Sequence, residues 1–214
     1  MDEGKRFDLI YDTMPWHKVD TVVFDIGNVL VRFAPEEIVR ELFPGDEQKQ
    51  AHMLDKVYHG PQWQELDRGT LDYEGAARVY HEQYGYPMED YLRALYSSLD
   101  LKDPVEEGWR AAARCKRAGK RLLLLSNYAR EGYERVRERM KERFELFEGD
   151  CVSAYYHQIK PEREIYETLI AKFGIDARRT LFIDDALANI EAALRMGING
   201  FHMHENGMMD RFFI

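Results

Sequence analysis

Short apolar runs mark buried strands along the sequence, and most of them fall in its second half. The runs are Val19 to Phe24, Arg121 to Leu125, Cys151 to Tyr156 and Thr180 to Ile183, with a last strand possible at Asn199 to Met203. Continuous apolar runs are typical of parallel strands that are covered on both faces. Helical periodicity separates the later runs, over residues 103–119, 131–143, 161–173 and 187–196. This βαβ alternation predicts an α/β fold with a doubly wound, Rossmann-like parallel sheet.

The segment between the first run and the second has helical periodicity and no strand signal. Candidate helices cover residues 35–42, 46–58, 71–84 and 88–99, and Thr70 is the expected N-cap of the third. The glycine-containing stretch from His59 to Gly69 interrupts them and is interpreted as a loop. We therefore expect an α/β core of residues 1–34 and 104–214, and an inserted helical domain of residues 35–103.

The overall charge argues against nucleic acid as a partner. The 214 residues carry a formal net charge of -9, so most of the surface would repel a phosphate backbone. The longest aliphatic run, Leu122 to Leu125, is far too short to span a bilayer. Cys115 and Cys151 form no spacing typical of a disulfide framework or a zinc site. The charged N-terminal stretch does not resemble a secretory signal, so we expect a cytoplasmic protein, either a monomer or a homodimer.

Polar side chains follow the apolar runs at the points where the strands should end. In chain order they are Asp25, Ser126, Asn127, Lys160, Asp184 and Asp185. Taken singly, such residues have structural explanations: Asp185 could cap the helix from Leu187, and Asn127 could occupy a left-handed turn. Ligands of open α/β sheets bind beyond the carboxyl ends of the strands, however, so the set as a whole favours a catalytic cluster.

Three carboxylates at one sheet edge require positive charge. At separations of about 4 Å each pair would repel by roughly 4 kcal/mol at an effective dielectric constant near 20. A hard divalent cation that prefers oxygen ligands, most simply Mg²⁺, would neutralise the charge of Asp25, Asp184 and Asp185. Lys160 would hold Asp25, the candidate nucleophile, and a phosphate.

The remaining polar groups suit a phosphoryl ligand. Ser126 can donate a hydrogen bond to a phosphoryl oxygen, and the turn amides around Gly27 and Asn28 can form an anion-binding concavity. Together with an acidic metal site, these groups predict phosphoryl transfer to a carboxylate, followed by cleavage of the aspartyl-phosphate by water.

Four of these features resemble, in order, the motifs of the haloacid dehalogenase superfamily. They are a strand ending in DxxxV from Asp25 to Val29, the sequence LLSN ending at Asn127, Lys160 before Pro161, and the Asp184–Asp185 pair. The match covers most of the α/β part, about two-thirds of the chain. The segments FDIGNVL, KPEREIYETLI and FIDDALANIEAALRMGI are similar to the branch that includes the bacterial α-glucose-1-phosphate phosphatase.

The resemblance implies a Mg²⁺-dependent phosphatase with Asp25 as nucleophile and Lys160 as its partner. The implied metal ligands are Asp25, the Gly27 carbonyl, Asp184 and Asp185. The implied phosphate-binding residues are Ser126 and Asn127. The inserted helices would form a small cap that closes over the substrate, expected to be a small phosphorylated metabolite and most simply a sugar phosphate.

One position departs from the usual phosphatase pattern of this superfamily. A second aspartate commonly stands two residues after the nucleophile as general acid and base, and this chain has Gly27 there. General acid–base catalysis contributes about 10²–10⁴-fold to the rate, so its loss should slow the departure of a poor leaving group. We therefore expect either a preference for esters with good leaving groups, or a proton supplied by water, the surroundings of Asn28 or the cap. An alternative is a catalytically silent protein that binds a phosphorylated ligand or a partner. A dehalogenase is disfavoured, since it has no need of a cation between Asp184 and Asp185.

The stretch from His59 to Gly69 holds two candidate substrate contacts. Trp63 offers an apolar face, and Arg68 offers a charge that could bind a hydroxyl or a phosphate. A loop packed on the insert's own core explains the same residues without any ligand.

Overall fold

The computed structural model describes residues 16–100, 103–205 and 207–212, and within them a five-stranded parallel sheet. The strands are β1 (Thr21–Phe24), β2 (Arg121–Ser126), β3 (Gly149–Val152), β4 (Thr180–Asp184) and β5 (Asn199–His202). They lie in the order β3-β2-β1-β4-β5. In register, Thr21 of β1 pairs with Arg121 of β2 on one side and with Thr180 of β4 on the other. The predicted doubly wound α/β fold is confirmed.

Helices separate the strands and follow the last of them. In the insert they are α1 (Pro35–Leu42), α2 (Glu47–Met53), α3 (Pro61–Arg68), α4 (Tyr73–Tyr84) and α5 (Met88–Ser97). In the rest of the described chain they are α6 (Glu106–Arg117), α7 (Arg130–Arg139), α8 (Lys141–Phe144), α9 (Ser153–Tyr156), α10 (Arg163–Phe173), α11 (Leu187–Arg195) and α12 (Met208–Phe212). A π-helical turn at Leu54–Tyr58 continues α2, and 3₁₀ turns occur at Trp16–Lys18, Ser98–Asp100 and Ala177–Arg179.

The strands alternate their side chains between two apolar layers, which explains why the runs are uninterrupted. Val22 and Phe24 of β1 enter one cluster with Trp109 of α6, while Val23 enters another with Ile165 of α10 and Ile190 of α11. Every residue of β1 and β4 is buried. The helices of the insert share a separate apolar cluster around Tyr80, Tyr91 and Leu95, each of them fully buried.

Four segments differ from the sequence prediction. The single helix expected over residues 131–143 is divided at Met140 into α7 and α8. The run from Cys151 to Tyr156 is a strand only to Val152 and then turns into the short helix α9, since apolar and aromatic residues suit either state. The stretch from His59 to Gly69 contains helix α3, with Pro61 at its first turn and Gly69 in the left-handed conformation just after its end, φ 74°. The N-cap of α4 is Asp72, whose carboxylate accepts a hydrogen bond from the backbone of Gly75, and not Thr70.

Two features of the sequence analysis have a plain structural outcome. Cys115 and Cys151 are both buried as free thiols. Among the described helices, none combines the length and the apolarity that a membrane crossing requires.

Candidate active site

A buried lysine from the loop after α9 lies between two aspartates at the ends of β1 and β4. Lys160 Nζ lies 2.9 Å from Asp25 Oδ1 and 2.6 Å from Asp184 Oδ2. The side chains of Lys160, Asp25 and Asp184 are 1%, 9% and 0% exposed. Because β1 and β4 are neighbours at the point where the strand order reverses, the two aspartates occupy the position where open α/β sheets bind ligands.

The charges in this cluster do not balance. Burial is the main cause that raises the pKa of Asp25 to about 7; Asp184 and Asp185 add to it, and Lys160 opposes it. Burial disfavours the charge of Lys160, but Asp184 and Asp25 outweigh burial and raise its pKa. One ammonium group therefore neutralises only part of the negative charge, and the site favours a further cation.

Asp25, Asp184 and Asp185 form a group that could hold a metal ion. One carboxylate oxygen from each lies within 4.8 Å of the other two. Asp184 is fixed in place, since its Oδ1 accepts hydrogen bonds from Ala186 N (2.8 Å) and Asn189 Nδ2 (3.0 Å). Three carboxylates are hard oxygen donors of the kind Mg²⁺ prefers, so the donor set fits the predicted ion. The N-cap position of α11 is occupied by Ala186, not by Asp185 as the simpler interpretation expected.

The side chain of Asn28 links the turn after Asp25 to Asp185 of the candidate metal-ligand group. Its backbone has a positive φ of 52°, a conformation that asparagine tolerates better than most residues. Its Nδ2 donates to Asp185 Oδ2 at 3.1 Å, and its Oδ1 accepts from Phe33 N at 2.9 Å. Both ends of the amide are thus engaged with the protein itself. The structure gives Asn28 a positioning role, and its predicted contact with substrate stays a prediction.

The side-chain amide of Asn127 bonds to the backbone of Lys160 at two points. Its Oδ1 accepts from Lys160 N at 2.7 Å and its Nδ2 donates to Lys160 O at 2.9 Å. Ser126, at the end of β2, is buried with 1% exposure. The structure therefore brings Ser126, Asn127 and Lys160 to the same sheet edge as Asp25, as predicted from their order.

A cavity of about 90 Å³ opens beside Asp25. Its lining combines aromatic rings with polar and small groups. The aromatic members are Phe33, Trp63, Tyr73 and Tyr128. The polar and small members are Asp25, Gly27, Asp67, Ser98, Asn127 and Ala129. Trp63 stacks on Phe33 with 5.6 Å between ring centroids, so the predicted substrate contact at Trp63 lies in the cavity wall.

The end of α3 is fastened to the α/β core. Arg68 makes a bidentate salt bridge with Glu162, with N–O distances of 2.8 and 2.7 Å. The hydroxyl of Ser153 donates to the backbone carbonyl of Asp67. A β-carbon on Gly69 would lie 2.7 Å from the backbone oxygen of Ala154, so only glycine permits this approach. Arg68, predicted to bind substrate, is used here to join the insert to the core.

Sequence reasoning missed Asp67 and Tyr128 as members of the site. The glycines Gly60 and Gly69, which bound the segment of Asp67, favour a loop there. The available signal was Pro61 at the start and Gly69 at the end, an asymmetry typical of a helix. No local sequence pattern indicates that Tyr128 lines the cavity, because its position depends on the packing of the folded chain.

A protein family and a curated relative match most of this chain. A sequence model of the haloacid dehalogenase-like hydrolases matches residues 19–197. The sesquiterpene phosphatase astK of Aspergillus oryzae is 25% identical over 184 residues, which cover 86% of this chain and 89% of that protein.

Solved structures share the fold. A HAD-like hydrolase from Porphyromonas gingivalis is 25% identical with a TM-score of 0.67, covering 88% of this chain and 94% of its own. A HAD-family enzyme from Bacteroides thetaiotaomicron, solved with magnesium and inorganic phosphate, is 22% identical with a TM-score of 0.66, covering 88% and 97%. The L-2-haloacid dehalogenase of Xanthobacter autotrophicus is 16% identical with a TM-score of 0.62, covering 85% and 76%.

Proposed function

Because the chain belongs to the haloacid dehalogenase-like hydrolases, we propose that it is a Mg²⁺-dependent phosphatase that transfers a phosphoryl group to Asp25 and then to water. The observation that carries the proposal is the buried ammonium of Lys160 between Asp25 and Asp184, beside an open cavity. A dehalogenase attacks carbon and needs no cation, whereas the excess of carboxylates here suits a metal ion and a phosphate.

Each residue of the cluster has a part in the proposed reaction. Asp25 is the nucleophile, and Lys160 holds its carboxylate in place and attracts the phosphate dianion. Asp25, Asp184 and Asp185 are the residues that would hold Mg²⁺. The Gly27 carbonyl, which accepts a hydrogen bond from Val29 N at 2.7 Å, is the further ligand that the family resemblance implies. When bound, the ion supplies positive charge to the phosphoryl oxygens.

Removal of the metal ion gives the first test. We expect hydrolysis of p-nitrophenyl phosphate with Mg²⁺ and none with excess chelator, because a carboxylate cluster with only one ammonium repels the phosphate dianion. Asp185→Asn should need much higher Mg²⁺ for half-maximal activity. Thermal unfolding adds a separate readout: Mg²⁺ at a hundredfold its Kd should stabilise the wild type by ~2.7 kcal/mol, and Asp185→Asn far less at that concentration. Equal activity with and without chelator would exclude the proposal. Binding of Mg²⁺ without hydrolysis of any phosphate ester would also exclude it.

The cavity lining bears on the substrate. A sugar phosphate is what the sequence suggests, but the aromatic rings of Phe33, Trp63, Tyr73 and Tyr128 favour an apolar or planar leaving group over one rich in hydroxyls. The similarity to a sesquiterpene phosphatase supports the same choice. We therefore place isoprenyl and aryl phosphates ahead of sugar phosphates. A comparison of farnesyl phosphate, phenyl phosphate and glucose 1-phosphate by kcat/KM decides between them, and a preference for glucose 1-phosphate would reverse the order.

The insert is proposed to act as a cap that closes on the core. The cavity is smaller than the roughly 300–1,000 Å³ of typical ligand pockets, so larger esters require the insert to move away. The contacts that hold it closed are the Arg68–Glu162 salt bridge and the hydrogen bond from Ser153 to Asp67.

A double-mutant cycle separates this closing contact from direct substrate binding by Arg68. If Arg68 acts through Glu162, Arg68→Met and Glu162→Gln should raise KM to the same extent, and the double variant should be no worse than either one, with a coupling on the order of 1 kcal/mol. If Arg68 binds the substrate, Arg68→Met should raise KM with or without Glu162, and Glu162→Gln alone should have little effect. Exposed Arg163→Met, whose partner is Glu167, is the matched control.

A further inference from the structure

The position that commonly carries a general acid in this superfamily holds no side chain here. Gly27 stands two residues after Asp25 and lines the cavity beside it. A β-carbon built on Gly27 would meet no atom within 4 Å, so the space next to the nucleophile is open. A proton donor for the leaving group therefore has to come from another part of the chain or from water.

The insert supplies a carboxyl group to the same cavity. Asp67 lies near the end of α3, is half-buried, and lines the cavity together with Asp25 and Gly27. Its backbone is fixed on the core by Ser153, which donates to its carbonyl oxygen, and by the salt bridge of the neighbouring Arg68 with Glu162. Apart from the nucleophile, Asp67 is the one carboxyl group in the described lining of this cavity.

We propose that Asp67 is the general acid and base of the reaction, delivered by the insert when it closes over Asp25. This role rests on the proposed phosphatase function and deepens it. It also gives the closure a chemical purpose, since leaving-group protonation would be available only when α3 is docked on the core.

The electrostatic surroundings of Asp67 suit a proton donor. Burial is the main cause that raises its pKa to about 7; the charge of Asp25 adds to the rise, while Lys160 and a hydrogen bond from the Ala129 backbone oppose it. The other ionisable groups that face it are the phenols of Tyr73 and Tyr128, whose pKa values are themselves raised by burial. Near neutral pH both the acid and the carboxylate form are therefore accessible, as a group that must give and then take a proton requires.

The proton balance closes over two steps. In the first, an Asp25 carboxylate oxygen bonds to phosphorus, the bond from phosphorus to the ester oxygen breaks, and Asp67 gives its proton to that oxygen to release the alcohol. In the second, the Asp67 carboxylate takes a proton from water as the water oxygen bonds to phosphorus. The bond from phosphorus to Asp25 then breaks, and phosphate leaves with both carboxyl groups restored.

Two aryl phosphates of similar size but different leaving group test the proposal. Phenol has a pKa of about 10, as the tyrosine side chain does, and needs a proton as it leaves, whereas p-nitrophenolate is stable without one. Asp67→Asn should lower kcat/KM, which covers the steps up to release of the alcohol, by about 10²–10⁴-fold for phenyl phosphate and far less for p-nitrophenyl phosphate. Asp55→Asn removes an exposed carboxylate from the same insert and should leave both rates unchanged.

The pH dependence supplies a second readout. For the wild type, kcat/KM for phenyl phosphate should fall as the pH rises through about 7, because the proton donor is the neutral form of Asp67, and Asp67→Asn should lack this decline. Equal losses of kcat/KM on both substrates, or none on either, would overturn the role of Asp67 as the proton donor. A wild type inactive on both esters with Mg²⁺ would instead mark a failure of the phosphatase proposal itself, visible before any variant is measured.

Discussion

Asp25→Asn should lower kcat by about 10⁴–10⁶-fold for every ester that the wild type hydrolyses, the range of loss seen when a member of a covalent catalytic unit is removed. The amide is nearly the same size as the carboxylate but is not a competent nucleophile. Single-turnover kinetics with excess enzyme measures this loss without interference from product release. Activity comparable with the wild type would remove Asp25 from the mechanism.

The same variant should fold normally, which makes the loss interpretable. Burial raises the pKa of Asp25 to about 7, above the value of 3.8 of an exposed aspartate. A raised pKa means that the stabilising contribution of this group is complete below about pH 4 and is lost as the pH rises through about 7. Without metal at about pH 8, Asp25→Asn should therefore be at least as stable as the wild type in urea unfolding. Lys160 keeps its second partner, Asp184, in this variant.

Lys160→Met is expected to have the largest effect on stability. Lys160 is the ammonium bonded to both Asp25 and Asp184, and its side chain is 1% exposed. Removing one partner of a buried ion pair leaves an uncompensated charge and costs about 3–5 kcal/mol. We expect a loss of this order in the metal-free protein, measured by urea unfolding, together with a loss of activity. Exposed Lys116→Met is the matched control and should change neither.

Two additions sharpen that test. Mg²⁺ should restore part of the lost stability, because it brings positive charge to the same carboxylates. The double variant Asp25→Asn/Lys160→Met should be more stable than Lys160→Met alone, since it removes one of the repelling charges. If metal-free Lys160→Met unfolds at the same urea concentration as the wild type, Lys160 is not what neutralises the cluster.

The sheet could be predicted because its strands are buried on both faces. Such strands appear as unbroken apolar runs, and the polar residue that ends each run marks the sheet edge, as Asp25 does for β1 and Asp184 for β4. Local preference could not fix the end of β3, because Ala154 favours a helix whereas Tyr155 and Tyr156 favour a strand. The π-helical turn at Leu54–Tyr58 likewise leaves no periodic signal.

Part of the candidate site could likewise be predicted from the sequence, and part of it could not. Residues that act at strand ends could be placed together from their order, since parallel strands carry them to one edge. The partners of Asn28 and Asn127 could not be foreseen, because each amide bonds to a segment distant in sequence. Asp67 depends on how the insert docks on the core, and that geometry is set by the contacts of Arg68 and Gly69.

Trapping the phosphorylated enzyme tests the central claim most directly. Acid quench during turnover, followed by borohydride reduction, converts an aspartyl-phosphate into homoserine. Trypsin then releases the peptide from Val19 to Arg32, which carries both Asp20 and Asp25. The account predicts homoserine at Asp25 in the wild type with Mg²⁺ and none in Asp25→Asn. Active enzyme that shows no modification at Asp25 under conditions that trap a known aspartyl-phosphate enzyme would contradict it.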